Sequence, residues 1–439
     1  MSIFFEANGI HECLINSYGR KIASKETEYI AQIIKHQRLQ LDYTLQEASE
    51  GICCVSYLSK LENLNVPIIN EDFLPLLCER LEIHSTLENS FISEETLSMA
   101  FKAYFTQKYD RLEEIYDKMN APLFTAGSGI ITCFHLLLKK DYKGVKDIFS
   151  SLDVIKCSMK FIEAALFIYL VSEYAIGLNN YKESLAYLSN LDDIIIRDNY
   201  LNCAIFENNI ISAFNLRDDI RFMHYYNKLK NLNFLGYPNN HNLIIQSMYD
   251  TYIARSFNIV SRDNFSQIDY DLLDGDIIDK MKYYLLLSDI EINYNDTEGL
   301  KQIFDKFVKE EPSLVKMPLF ISLLAYICYL INELEYYEML NNIRLNGIID
   351  TYNSLEVKFI NFILLYSSQA DNEEFIEYAK ASCISNLDNE QNYVYTYVFK
   401  ECYEQALLVL NKYRDVCLLE KDFKSTSHIK DRRIYGLHL

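Results

Sequence analysis

Residues 44–63 read T-L-Q-E-A-S-E-G-I-C-C-V-S-Y-L-S-K-L-E-N, and this stretch predicts two short helices joined by a tight turn. Thr44 is a favourable N-cap, with Glu47 at the capping-box position three residues later. Gly51 is the natural residue for a left-handed end of the first of these helices. The second helix is predicted from Val55 to Glu62, with leucines along one face.

Two further helices flank this stretch. Residues 29–38 form an amphipathic pattern before it, and residues 72–81 form another after it. Four short helices around a glycine turn are typical of a helix-turn-helix bundle. We therefore predict such a bundle over residues 1–84.

The outward face of the helix at 55–62 carries small polar and basic side chains. Ser56, Ser59 and Lys60 lie opposite the leucines, and such residues can contact phosphates and base edges when a helix enters the major groove of DNA. The same residue types also occur on an ordinary solvated helix. From the pattern alone the two interpretations are about equally supported.

The rest of the chain has the composition of a long helical protein. Its 439 residues exceed the roughly 250–300 at which a single core stops growing, so several domains or a repeat array are needed. Half of the residues are hydrophobic, whereas Gly 12 and Pro 6 are too few for an architecture with many strand reversals. The predicted fold class is all-α.

Internal repeats indicate how these helices are arranged. The turns K-K-D-Y-K at 139–143 and L-N-N-Y-K at 178–182 stand 39 residues apart, each between two amphipathic helices. Similar hairpins recur to the end of the chain with variable spacing, which is typical of degenerate tetratricopeptide repeats. We predict a tetratricopeptide-like α-solenoid over residues 85–439, whose concave face is suited to peptides or partner helices.

Charge and motif content exclude several classes of function. The chain has 42 Lys+Arg against 62 Asp+Glu, a net charge of −20, which disfavours a protein that coats nucleic acid or anionic membrane. The N-terminus lacks the basic region of a signal peptide, and the longest apolar stretch, 317–331, is shorter than a membrane span. Eleven cysteines without a C-x-x-C pair favour a reducing compartment. We expect a cytoplasmic protein that is not an enzyme and has neither cofactor nor metal.

The head sequence resembles a known family. The run E-G-I-C-C-V-S-Y-L-S-K-L-E-N at 50–63, followed by Pro67 and L-C-E-R-L-E-I at 77–83, is similar to the peptide-pheromone-sensing regulators of Gram-positive bacteria. This RRNPP group includes Rgg-like and PlcR-like proteins. The resemblance covers about 55 residues and implies a DNA-binding head with an ion pair between Arg38 and Glu62. The residues it implies at the DNA are Thr44, Ser56, Tyr57, Ser59 and Lys60.

The resemblance also implies what the repeats do. In this group they form a homodimer and bind a short signalling peptide, whose backbone is commonly held by asparagines because a carboxamide both donates and accepts. The matching candidates on predicted first helices are Asn208, Asn209, Asn293 and Asn361. The implied function is a transcriptional regulator that binds promoter DNA and is controlled by a peptide in quorum sensing.

A second function is compatible with the same sequence. Leu45 and Cys54 stand where the group usually has Gln and a capping Ser, and residues 1–84 carry seven Lys/Arg against twelve Asp/Glu. Both features weaken contacts to a DNA backbone. The alternative is a repeat protein that sequesters another protein, with a helix-turn-helix that no longer binds DNA.

Overall fold

The computed structural model describes residues 25–64, 70, 72–83, 92–119, 123–192, 194–232, 236–259, 275–346, 355–369, 373–383 and 393–424. Within these residues the chain is all-helical, with 21 α-helices and no strand. The predicted all-α class is therefore confirmed. The chain divides into two compact units: residues 1–178, 183–209 and 232–236 form the first, and 179–182, 210–231 and 237–439 form the second.

The first unit begins with four helices around one small core, which we call the N-terminal bundle. They lie where the sequence predicts them, and Gly51 has a φ of +72° at the end of α2. The core contains Ile33, Leu58, Leu61 and Leu77, all at most 1% exposed. The helices are α1 (Lys25–Gln40), α2 (Leu45–Ser49), α3 (Val55–Glu62) and α4 (Phe73–Arg80). The predicted boundary at 84/85 lies outside the described residues.

The remaining helices of the first unit form consecutive pairs. In this part, α5 packs against α7 and α7 against α9, so that the first helices of successive pairs stack. A short 3-10 turn, Lys156–Ser158, joins α8 to α9. The helices are α5 (Glu94–Phe105), α6 (Tyr109–Lys118), α7 (Ala126–Leu138), α8 (Tyr142–Ile155), α9 (Phe161–Gly177), α10 (Tyr181–Leu188) and the first part of α11 (Asn199–Leu216).

The second unit repeats the same arrangement. Here α14, α16, α18 and α20 stack one on the next. After the end of α11 its helices are α12 (Asp219–Asn231), α13 (Asn239–Phe257), α14 (Gly275–Ile292), α15 (Thr297–Glu310), α16 (Pro318–Ile331), α17 (Leu334–Asn346), α18 (Leu355–Gln369), α19 (Glu373–Tyr378), α20 (Tyr393–Val409) and α21 (Tyr413–Lys424).

Turns between paired helices share one backbone conformation. Lys140 and Asn179 occupy the same place in the two related turns and have φ of 57° and 58°. Arg217, Asn332 and Asn411 adopt it at the ends of α11, α16 and α20. A residue in the left-handed region after the last helical turn satisfies its free carbonyls. The 39-residue sequence repeat is thus a repeat of backbone geometry.

Candidate functional site

Helix α2 is fixed at both ends by hydrogen bonds. Thr44 caps α2: its hydroxyl accepts from the Glu47 amide at 3.2 Å, and its own amide donates to the Glu47 carboxylate at 2.7 Å. Cys54 caps α3 without a side-chain hydrogen bond. Arg80 of α4 donates to the carbonyls of Glu47 and Glu50, which fixes α2 from the other side.

The predicted DNA-facing residues of α3 divide into two groups. Ser56 and Lys60 are exposed and extend from the first and last turns of the helix. Tyr57 and Ser59 are half-buried. The Tyr57 ring packs edge-on against Phe73 with centroids 5.3 Å apart, and its hydroxyl oxygen accepts from the Asn70 amide at 2.8 Å. Tyr57 therefore supports the bundle from within, whereas Ser56 and Lys60 are presented to solvent.

Most of the described cations of the N-terminal bundle are engaged inside it. Arg38 and Arg80 bond to groups within the bundle, and burial lowers the pKa of Lys35, whose ammonium donates to the Asn63 amide oxygen at 3.5 Å. Lys60 is the exposed cation on α3. The surface around α3 accordingly offers few positive charges to a phosphate backbone.

Arg38 and Glu62 form a two-point ion pair between α1 and α3. The Arg38 Nε and Nη2 atoms donate to the two carboxylate oxygens at 2.6 and 2.9 Å, and Nη1 donates to the Tyr43 carbonyl at 2.7 Å. Both side chains are buried. This is the residue pair that the family resemblance implies, and its geometry fixes the angle between the two helices.

A buried polar cluster joins the N-terminal bundle to the helices that follow it; we call it the bundle junction. At its centre is Gln32 of α1, which is fully buried. Its amide nitrogen donates to the Ser158 carbonyl at 3.0 Å and to the Glu163 carboxylate at 3.1 Å, and its oxygen accepts from the Ala126 amide at 2.8 Å. Both the donor and the acceptor sides of this carboxamide are thus used.

Two further contacts extend the bundle junction. The Ser158 hydroxyl donates to the Glu62 carbonyl at the end of α3, at 2.5 Å. The Lys160 ammonium donates to the Tyr29 hydroxyl and to the Glu94 carboxylate, each at 3.3 Å, and lies 4.6 Å from the centre of the Tyr29 ring. The N-terminal bundle is therefore joined to α5, α7, α9 and the 3-10 turn by a continuous set of largely buried hydrogen bonds.

Two of the predicted peptide-binding asparagines are buried in the first unit. Asn208 is 3% exposed, and its amide donates to the Ser172 hydroxyl of α9 at 2.8 Å. Asn209 is fully buried and donates to the Ile205 carbonyl of its own helix. Its amide oxygen has no hydrogen-bond partner. In this structure both side chains contribute to helix packing.

The other two predicted asparagines lie in the second unit and occupy different settings. Asn293 follows the last residue of α14 and donates to the Asp289 carbonyl at 2.9 Å, which closes the helix end. Asn361 of α18 accepts from the Arg344 Nη1 atom at 2.6 Å and lines a cavity. Asn361 therefore lines this cavity, whereas Asn208, Asn209 and Asn293 are not among its lining residues.

This cavity is an open groove of about 500 Å³ between α17 and α18, to whose lining Tyr378 of α19 also contributes. We call it the α17–α18 groove. Its volume lies within the usual range for ligand sites. Its lining combines apolar side chains, two carboxamides, one carboxylate and one guanidinium: Leu334, Tyr337, Glu338, Asn341, Arg344, Asn361, Leu364, Leu365, Ser367, Ser368 and Tyr378.

A buried carboxylate lies elsewhere in the second unit, on α13. Asp250 is 4% exposed and accepts from the Gln246 amide at 3.0 Å, while its second oxygen has no partner. Burial raises the pKa of the Asp250 carboxyl to about 6, against the opposing effect of the Gln246 hydrogen bond. A carboxylate with one unsatisfied oxygen destabilises the folded chain when it is charged.

Gln32 and Arg344 did not emerge as candidates from the sequence. A signal for Gln32 exists, because it interrupts the run Y-I-A-Q-I-I on the buried face of α1. Arg344 is a single cation in N-N-I-R-L-N, and no local pattern separates it from surface arginines. Its significance depends on a partner 17 residues away.

The described residues contain no cluster of His, Cys, Asp and Glu that could hold a metal ion. None of the helices in the described ranges is both long and apolar enough to cross a membrane. Comparison with protein-family profiles, curated proteins and solved structures finds no match to this chain.

Proposed function

We propose that this chain is a DNA-binding transcriptional regulator controlled by a short peptide that binds its helical repeats. The observation that carries the proposal is the geometry of α2 and α3. Gly51 turns the chain in a left-handed conformation, and the N-terminal half of α3 is then exposed, with Val55 42% accessible beside Ser56. A recognition helix contacts base edges with its N-terminal residues.

The repeats support the second half of the proposal. Stacked first helices in each unit are the packing typical of tetratricopeptide-like arrays, and the α17–α18 groove offers carboxamides beside apolar surface. In a homodimer, a peptide that prefers one arrangement of the repeats would alter the placement of the two DNA-reading heads and hence the affinity for a promoter. We expect binding in a cytoplasmic setting and without a cofactor.

The test is DNA binding by the full chain. At low salt we expect specific binding to the region upstream of its own gene or to another genomic fragment, with affinity that changes on addition of a short apolar peptide. Lys60→Ala should weaken binding several-fold, whereas Lys306→Ala, at an exposed position on α15, should leave it unchanged. If no genomic fragment binds even at low salt, the proposal is wrong.

A second candidate function has its own supporting observation. Three cations of the N-terminal bundle are engaged internally, and Tyr57 is packed against Phe73. A bundle with one exposed lysine on α3 is suited to protecting the end of the array as well as to contacting DNA. In this alternative the chain sequesters another protein. Recovery of one stoichiometric protein partner, together with no DNA binding, would decide for it.

A further inference from the structure

The α17–α18 groove contains a guanidinium that no carboxylate of the described residues neutralises. Arg344 donates through Nη1 to the Asn361 amide oxygen at 2.6 Å, and its Nε atom is buried without a hydrogen-bond partner. Among the described residues it forms no ion pair, although the chain carries a net charge of −20. A buried donor without an acceptor costs free energy, so the guanidinium is incompletely satisfied within the described residues.

The position of Arg344 is set before any ligand arrives. The hydrogen bond from Nη1 to Asn361 orients the plane of the guanidinium in the groove that Arg344 lines. A planar fork of donors fits the two oxygens of a carboxylate. Because the partner of Nη1 is a neutral amide, the full positive charge remains available to an anion.

The rest of the groove is suited to a peptide rather than to a bare anion. Leu334, Leu364 and Leu365 provide apolar surface, and Leu334 is 68% exposed. The carboxamide of Asn341 can both donate to and accept from a peptide group. Glu338 and Arg344 both line the groove and lie six residues apart on α17, which is about 9 Å along the helix axis. This length of groove is close to that of three extended peptide residues.

We infer that the α17–α18 groove binds the C-terminal end of an apolar peptide, with the terminal carboxylate on Arg344 and the preceding two or so side chains against Leu334, Leu364 and Leu365. The identity of the ligand as a peptide rests on the proposed function. Asn361 acts as a positioning residue, because it holds the guanidinium in the orientation that receives the carboxylate.

The experiment uses the full chain and two matched sets of probes. One set consists of acetylated tripeptides built from Leu, Ile, Val, Phe and Tyr with a free C-terminal carboxylate, and the other contains the same tripeptides as C-terminal amides. Binding is measured by equilibrium dialysis with mass-spectrometric detection. We expect at least one free acid to bind, and its amide to bind at least about tenfold more weakly, since the charged pair is lost.

Variants locate the effect. Arg344→Gln should remove the preference for the free acid, and Asn361→Asp should do the same by placing an internal carboxylate beside the guanidinium. Arg414→Gln removes the same charge from an exposed position on α21 and should retain the preference. A melting temperature within the wild-type range for each variant shows that the fold is intact.

Three results of the tripeptide measurements would overturn the inference. They are binding of acids and amides with equal affinity, binding of neither set, and retention of the preference by Arg344→Gln. N-acetyl-leucine distinguishes a small carboxylate from a peptide: if it binds as tightly as the best tripeptide, the assignment to a peptide is wrong.

The outcome is separable from that of the proposed function. If DNA binding by the Arg344→Gln variant still responds to a peptide, the inference about the groove is wrong and the proposed regulatory function stands. If tripeptides bind and no DNA binds, the inference about the groove stands and the proposed regulatory function is wrong.

Discussion

The bundle junction and the α17–α18 groove both contain buried polar groups, but these groups differ in whether they have hydrogen-bond partners. At the junction, Gln32 uses both sides of its carboxamide and Ser158 donates to the carbonyl of Glu62. At the groove, Arg344 keeps a buried Nε without an acceptor. Buried polar groups are normally paired, so an unpaired one calls for an explanation.

The two regions are therefore expected to respond differently to substitution. A fully paired buried network specifies one arrangement of its helices and loses free energy when any member is removed. A site with an unpaired donor is already suboptimal in the absence of ligand. Substitutions at the junction should therefore destabilise the chain, whereas substitutions at unpaired groups in the second unit should be neutral or stabilising.

The largest effect is expected for Glu62→Ala at the α1–α3 ion pair. The substitution leaves the buried Arg38 guanidinium without its carboxylate, which should lower the free energy of unfolding by about 3–5 kcal/mol. Urea unfolding followed by circular dichroism measures it. Glu79→Ala, at an exposed position on α4, is the control and should change stability by less than about 0.5 kcal/mol. Equal effects of the two substitutions would show that the Arg38–Glu62 ion pair does not stabilise the bundle.

Gln32→Leu tests the junction itself. Leucine has a similar volume but leaves the Ala126 amide and the Ser158 carbonyl without their partner, so we expect a loss of about 2–3 kcal/mol in the same assay. Gln46→Leu makes the identical change at an exposed position on α2 and should be nearly neutral. A neutral Gln32→Leu variant would mean that the junction does not hold the bundle.

Asp250→Asn tests an unpaired group in the second unit. Because the pKa of Asp250 is raised to about 6 in the folded chain, the wild-type carboxyl favours folding below its unfolded pKa and loses that contribution as pH rises through 6. The variant lacks this loss. Relative to wild type, its stability should rise by about 1–2 kcal/mol between about pH 4.5 and about pH 7.5.

The measurement for Asp250→Asn is urea unfolding of both proteins across that pH range. Asp415→Asn, at an exposed position on α21, serves as the control and should follow the wild-type profile. A difference between Asp250→Asn and wild type that stays constant with pH would show that the carboxyl is not buried as described.

The smallest effect is expected at the groove. Asn361→Asp converts the neutral partner of Arg344 into a charged one and should stabilise the chain by up to about 1 kcal/mol. The gain should vanish in an Arg344→Gln background, as a double-mutant cycle would reveal. Asn342→Asp, at an exposed position on the same helix α17, should give no gain. A loss of stability at Asn361→Asp would contradict the availability of the guanidinium.

Local signals in the sequence are sufficient to predict the helices. The capping box at Thr44, the left-handed Gly51 and the 39-residue turn repeat all reflect interactions within a few residues, and the structure has each of them. The all-α class followed from scarce glycine and proline for the same reason, because helix formation depends on short-range geometry.

The site was less predictable because it depends on long-range contacts. Asn208 and Asn209 share the residue type and the helical context of Asn361, yet packing against neighbouring helices buries the first two and leaves Asn361 at a groove. Likewise Tyr57 follows Ser56 on α3, but its ring turns toward Phe73. A single sequence does not specify which neighbour a side chain meets when that neighbour is many residues away.

The contact between Gln32 and Ala126 has a consequence for modularity. Ala126 is the first residue of α7, and its amide is one of those that a helix leaves free at its start. A side chain of the N-terminal bundle satisfies this amide, so the bundle completes a helix that begins some ninety residues later. The N-terminal bundle and the helical repeats are therefore not independent modules. A chimaera that grafts a foreign head onto these repeats must carry a glutamine equivalent to Gln32, or the Ala126 amide at the start of α7 loses its partner.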